Sequence, residues 1–281
     1  RGWRAAQWIT DMSMTGAKFW QLAYWGLCAL VMVFLLLPIA AIIPMSFSSG
    51  SLLVYPLPGL SLRWYLEVLG SPQWMRALGN SLAIGVLATA VSVVLGTLGA
   101  LGLARQRGPL AALVKMLALS PMIVPVILIA VASYFFLAPL KLSHTYTGMV
   151  LAHAVIAVPF VVIPVLTALE LLDPNLERAS AACGAMPATT FWRITLPSIR
   201  PAVASGALFA FATSFDDVVI ALLLAGAEQR TLPQAMFSGL RDSITPAMLA
   251  VATIMIAIST LLFVGLQRFQ RRMQRTVGRR R

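Results

Sequence analysis

Charged side chains are scarce in this sequence, at 11% of 281 residues against 59% hydrophobic ones. Soluble domains carry about 25% charge, so this composition argues against a water-surrounded globule. The mean hydropathy of +0.87 agrees. Cysteine occurs only twice, at Cys28 and Cys183, both within or beside apolar sequence. A disulfide framework is therefore not expected, and small core fillers are the better reading. Histidine is equally sparse, and His144 and His153 lack metal-ligand companions at useful spacing. Both read as structural. No Walker A pattern, HExxH or paired CxxC occurs, so neither catalysis nor a cofactor bound by this chain is expected.

What the sequence does have is apolar runs of membrane length. Six of them approach or exceed the roughly 20 residues that a spanning helix needs: 22–45, 78–104, 116–137, 148–169, 201–224 and 247–267. The expected fold is all-α and integral to a membrane, one domain over 1–281 with six transmembrane helices. The first run is too long for a signal-peptide core and reads as an uncleaved span. The second carries Gly85, Ala88, Ser92, Gly96, Gly99 and Gly102, small residues that let helices approach closely, so it is expected inside the bundle. Pro121, Pro125, Pro159 and Pro164 are expected to kink the third and fourth spans. Trp64, Tyr65 and Trp74 in the link after the first span suit a membrane–water interface.

The basic residues are unevenly placed. With six spans, one side collects Arg1, Arg4, Lys18, Arg105, Arg107, Lys115, Arg178, Arg193, Arg200 and seven arginines from Arg268 to Arg281. The other side has Arg63, Arg76, Lys141, Arg230 and Arg241. The positive-inside rule puts both termini and the loop 170–200 in the cytoplasm. The net charge of +12 is then an anchor against anionic lipid rather than a nucleic-acid patch.

That loop is a polar interruption between apolar runs. Asp173-Pro174 is a helix-start signal, the segment to Ala182 is rich in helix formers, and Gly184 suits a left-handed cap. Pro187 is expected to start a second short helix that ends near Leu196-Pro197. Here the sequence resembles the membrane permease subunits of type I ABC importers, whose loop signature reads E-A-A, three residues, G, nine residues, I, any residue, L-P. Ala179 and Ser180 take the alanine places, followed by Gly184, Ile194, Leu196 and Pro197 at matching spacing. Arg178 occupies the family's glutamate position, with Glu177 one residue earlier. The resemblance implies the permease fold from about Ser81 onward, with the loop serving as a coupling helix that docks on a cytoplasmic ATPase. It also implies an ATPase dimer that uses ATP and Mg, a second permease in a heterodimer, a periplasmic substrate-binding protein and a bacterial inner-membrane location.

The other polar interruption is acidic. Ser214-Phe215-Asp216-Asp217-Val218 sets two adjacent carboxylates in the fifth apolar run. A charge at the centre of a membrane helix costs about 2.5–3.5 kcal/mol on insertion scales, so such groups face a cavity or a partner. Successive helical residues point about 100° apart, so the two aspartates differ in role: one faces a pathway, the other makes a structural contact or caps a break. A purely structural role for both stays open. With Ala225-Gly226 and Arg230-Thr231-Leu232-Pro233, the pair resembles the spermidine/putrescine branch of the permease family. That implies a cationic amine route past Asp216 or Asp217, with Phe215 and Tyr134 as aromatic faces. Rival readings are the same machine with another cargo (an opine, aminobutyrate, aminoalkylphosphonate or ferric ion), an ion-gradient-driven carrier, and a membrane scaffold that only recruits a soluble protein.

Overall fold

The computed structural model describes residues 3–51, 54–106, 108–242 and 245–278. Among them helix is the only regular element, apart from one isolated bridge between Ser48 and Leu60. The helices are α1 Trp3–Ser46, α2 Arg63–Gly70, α3 Pro72–Arg105, α4 Pro109–Leu119, α5 Val126–Leu137, α6 Tyr146–Glu170, α7 Pro174–Ala182, α8 Pro187–Thr190, α9 Leu196–Asp216, α10 Val219–Leu224, α11 Leu232–Asp242 and α12 Pro246–Gly278. Five segments are long and apolar enough to cross a membrane: Trp20–Ser46, Pro72–Arg105, Tyr146–Glu170, Pro187–Asp216 and Pro246–Gly265. A sixth is added if the bent pair Pro109–Met122 and Val126–Leu137 is one span. The chain is a multi-pass membrane protein.

One expected span and one expected loop helix take a different form. The third run does not merely kink: its two halves meet at 106°. Ser120–Met122 tightens into a 3₁₀ turn, and Pro125 sits at φ −52°, ψ 130°, outside the helix. Two prolines four residues apart remove two amide donors, so the helix has no ladder to carry across. The second short helix expected in the polar loop is likewise not separate. α8, a π-helical turn Phe191–Thr195 and α9 run on as one 30-residue helix, Pro187–Asp216. Pro197 follows directly on the π-helical turn, and a π bulge is one of the places where a helix absorbs a break in its hydrogen-bond ladder.

The chain divides into two compact units. The smaller comprises residues 1–65 and 245–253. No residue in the most apolar stretch of its α1 is buried, as expected of a helix whose side chains meet lipid. After α1 the chain ties a small knot. Trp64, 6% exposed, donates from Nε1 to the Ser48 carbonyl at 2.9 Å, and the Tyr65 hydroxyl meets Ser46 Oγ at 2.6 Å. Phe47 packs against the Tyr65 ring, with centroids 4.9 Å apart.

The larger unit is built on α3, α6 and α9. Val161 on α6 is fully buried and marks where the three meet. A Cβ added to Gly96 on α3 would lie 2.8 Å from Val161 Cβ; one added to Gly206 on α9 would lie 2.9 Å from Val161 Cα. Small residues at both positions are what allow the close approach. The expectation for α3 holds only in part: Gly85, Ala88, Ser92 and Gly96 are buried, whereas Gly99 and Gly102 lie on its exposed face. One apolar cluster joins Ala100, Ala157, Val161, Val165, Ile199 and Ala210. A second joins Ile84, Ala88, Ile129, Met149, Ile156 and Ile220. Gly206→Val is expected to wedge α9 from α6 against backbone atoms that cannot swing aside. Overpacking of this kind costs about 1–3 kcal/mol, and a fall of several degrees in the melting temperature of the detergent-purified protein checks it. An unchanged melting temperature would count against the close contact.

Candidate functional site

The acidic pair sits at a break in the helix. α9 ends at Asp216, Asp217 is extended at φ −70°, ψ 130°, and α10 starts at Val219. The fifth apolar run therefore holds a break of the kind an aspartate was expected to cap: its helix stops at Asp216 and restarts three residues later. Asp217 accounts for the restart. Its Oδ2 accepts the Ile220 N–H at 2.8 Å, the bond a capping carboxylate makes with the free donors of a first turn. The same Oδ2 lies 3.9 Å from His153 Nε2 on α6, with the two side chains only 7% and 0% exposed. His153 Nδ1 is held at 3.1 Å from the Ser214 carbonyl and 2.9 Å from its hydroxyl. His153 thus bridges α6 to both sides of the break, and Nε2 has no hydrogen-bond partner among the described residues.

Asp216 has the opposite placement. It is exposed, and it forms part of the lining of a cleft of about 560 Å³. Thr213, Asp217, Val218 and Val219 line the cleft from the break, Pro121, Met122, Val124 and Val126 from the α4–α5 bend, and Ile156 and Phe160 from α6. Both broken helices therefore open onto one space. α9 points its C-terminal end at this space, so its last carbonyl groups add partial negative charge to that of Asp216. The first turns of α5 and α10 border the same cleft with the opposite partial charge, so it is the full charge of Asp216 that favours a cation there. Phe215 lies outside this lining: it is 2% exposed and stacks on Phe211 at 5.4 Å. Tyr134, half-buried, packs beside the second apolar cluster and against His144 at 6.2 Å.

The segment after α10 is tied down by the start of α3. Asn80 Nδ2 donates to the carbonyls of Glu228 at 2.7 Å and Arg230 at 2.9 Å, and Ser81 Oγ accepts the Leu232 N–H at 2.7 Å. The Tyr146 hydroxyl lies 3.0 Å from both Asn80 Oδ1 and the Glu228 carbonyl. His144, at φ 61°, donates its N–H to Leu224 at 3.0 Å. The sequence placed Ala225-Gly226 and Arg230–Pro233 beside the acidic pair but gave no sign of this clamp. Its members are single polar residues scattered over three elements.

The polar loop folds as a compact knob. Asp173 caps α7 by accepting the Asn175 N–H at 2.9 Å. Gly184, at φ +77°, ends it. The Ala185 N–H reaches the Ser180 carbonyl at 3.1 Å and the Gly184 N–H reaches Ala181 at 2.9 Å, the paired bonds of a Schellman cap. Ser180, the second alanine place, is buried and bonds to Thr190 at 2.7 Å, closing α7 onto α8. Glu177 turns inward to Arg105 and Thr195, whereas Arg178, Ala179 and Gly184 face outward. Ile194, Leu196 and Pro197 are half-buried where the knob joins α9.

Comparison with known proteins adds four matches. A family model described as "Binding-protein-dependent transport system inner membrane component" matches residues 92–275. The "Putrescine transport system permease protein PotI" of Escherichia coli K12 is 33% identical over 244 residues, covering 83% of this chain and 85% of that protein. The "Spermidine/putrescine transport system permease protein PotC" of Haemophilus influenzae is 30% identical, covering 83% and 91%. A crystal structure of a bacterial ABC transporter involved in import of the acidic polysaccharide alginate matches with TM-score 0.68 at 19% identity, over 88% of this chain and 94% of that one. The last of these speaks for the fold alone.

Proposed function

Since the chain belongs to the inner-membrane components of binding-protein-dependent transport systems, we propose that it is the permease subunit of an ATP-driven importer of putrescine or spermidine. The observation that carries the substrate class is the cleft at the helix break, where an exposed carboxylate and a helix C-terminus together face open space. A protonated amine is the ligand such a site favours, and the putrescine and spermidine systems named for the relatives agree with it.

In this reading Asp216 lines the route and Asp217 holds the break open, with Phe215 and Tyr134 packed behind them. Six spans form half of the path, and a second permease supplies the other half. A periplasmic binding protein delivers the amine. The knob from Glu177 to Pro197, Arg178, Ser180, Gly184 and Ile194 included, docks on a dimeric ATPase that uses ATP and Mg. Both termini and the knob lie in the cytoplasm of a bacterium whose inner membrane holds the assembly, a placement that rests on the crowding of arginine and lysine on one side.

The test is uptake of labelled putrescine and spermidine by the complete complex in sealed vesicles, with the binding protein outside and ATP inside. Uptake is expected to stop when ATP is omitted and to persist when a protonophore collapses the proton gradient. The reverse pattern would favour the ion-gradient carrier and overturn the proposal.

A further inference from the structure

The knob carries its charges in an order that specifies what it docks on. Glu177, its one acid in the first turn of α7, is used internally. Its Oε1 lies 3.5 Å from Arg105 Nη2 at the end of α3, and it accepts the Thr195 hydroxyl at 3.4 Å. Ser180, three residues on, shares this inner face and is buried against Thr190. Arg178 is rotated by about 100° from Glu177, which turns it away from the bundle. It is exposed, and among the described residues its side chain reaches only Asn175 Oδ1 within its own helix, at a long 3.5 Å.

The surroundings on the outward side are apolar or positive. Met186 is 74% exposed and Trp192 65%, and Arg193 is exposed as well. The other acids of loop 170–200, Glu170 and Asp173, are exposed at its start, Asp173 accepting the Asn175 N–H at the α7 N-cap. Exposed Arg178 and Arg193, with exposed Met186 and Trp192, are what an apolar groove rimmed by carboxylates would complement.

We propose that Arg178 is the charge by which this knob recognises its motor, and that the ATPase groove presents an aspartate or glutamate to receive it. Glu177 acts instead as a strut that fixes α7 to α3, so that motion of the knob is passed to the bundle. The inference rests on the coupling reading above and adds the polarity of the contact: basic on the permease, acidic on the ATPase. Charge pairs at an interface govern the choice of partner more than raw affinity, so Arg178 would also restrict which ATPases this permease accepts.

The experiment uses the full complex, purified through a tag on this chain, with the co-purifying ATPase quantified across a range of salt concentrations. Arg178→Glu is expected to lower ATPase recovery by about tenfold or more, since like charges meeting at an interface are strongly disfavoured. Arg178→Lys should keep recovery near wild type, and Arg178→Gln should flatten its salt dependence. A photo-crosslinker at position 178 should trap an ATPase segment that contains aspartate or glutamate. Wild-type recovery with Arg178→Glu, or crosslinks that go to lipid headgroups, overturns the charge assignment and leaves the coupling role standing. If wild-type chain carries no ATPase through purification, the coupling role falls as well.

Discussion

Asp216→Asn is expected to cut amine uptake by roughly tenfold or more at low substrate concentration, with the amount of assembled complex unchanged. The exposed carboxylate forms no part of the helix's own scaffolding, so its loss removes attraction for a cation without disturbing the fold. One charge interaction of about 1.4 kcal/mol accounts for a factor of ten, and partly desolvated charge pairs commonly exceed that. Asp216→Lys should abolish uptake. Asp217 behaves differently because its oxygen caps α10 through Ile220. Asparagine can also cap a helix, so Asp217→Asn should assemble and transport at a moderately reduced rate. Asp217→Leu leaves the Ile220 N–H without its acceptor and sets an apolar group against buried His153. It should lower the amount of folded complex in the membrane, by the roughly 1–3 kcal/mol that an orphaned buried donor costs. Quantitative immunoblots beside initial uptake rates separate the two kinds of loss. Normal transport by Asp216→Asn, together with its loss in Asp217→Asn, would reverse the assignment.

Gly184→Val should uncouple the machine. No atom lies within 4 Å of a Cβ built at Gly184, so crowding is not the obstacle; the backbone is. At φ +77° an L-residue is strained by about 1–2 kcal/mol, and a β-branched one by more. Valine would relieve this by opening the Schellman cap, which frees the Ser180 and Ala181 carbonyls and lets α7 leave its place on α8. The expected result is ATP hydrolysis that no longer rises with substrate-loaded binding protein, or loss of the ATPase on purification. Gly184→Asn, which tolerates the left-handed region, should retain most of the coupling. Equal and normal transport by both variants would sink the account.

How legible the chain was from sequence depended on whether the signal was local. Asp173-Pro174 and Gly184 marked the ends of α7 because capping and positive φ each act within a few residues, and both ends are where those residues put them. The sequence also separated the two aspartates by helical rotation, but it could not say which one faced open space. Asp217 is turned to the Ile220 N–H and lies beside His153, 64 residues earlier, a neighbour across helices that leaves no local trace. The 106° bend was underestimated for a related reason: prolines announce a weakened helix, whereas the size of the angle depends on what the two halves pack against. The run from Pro187 through the π turn into α9 was misjudged because Pro197 looked like a terminator. Directly after a π turn the helix runs on past it.

This last correction has a mechanical consequence. A continuous helix from Pro187 to Asp216 is about 45 Å long at 1.5 Å per residue, with the knob at one end and the acidic break at the other. Tilting such a rod by roughly 10° sweeps its far tip through about 8 Å, wider than a chain of methylenes. No relay of small rearrangements is needed between the two ends. In the function proposed here, the gate and its handle are the same piece of backbone.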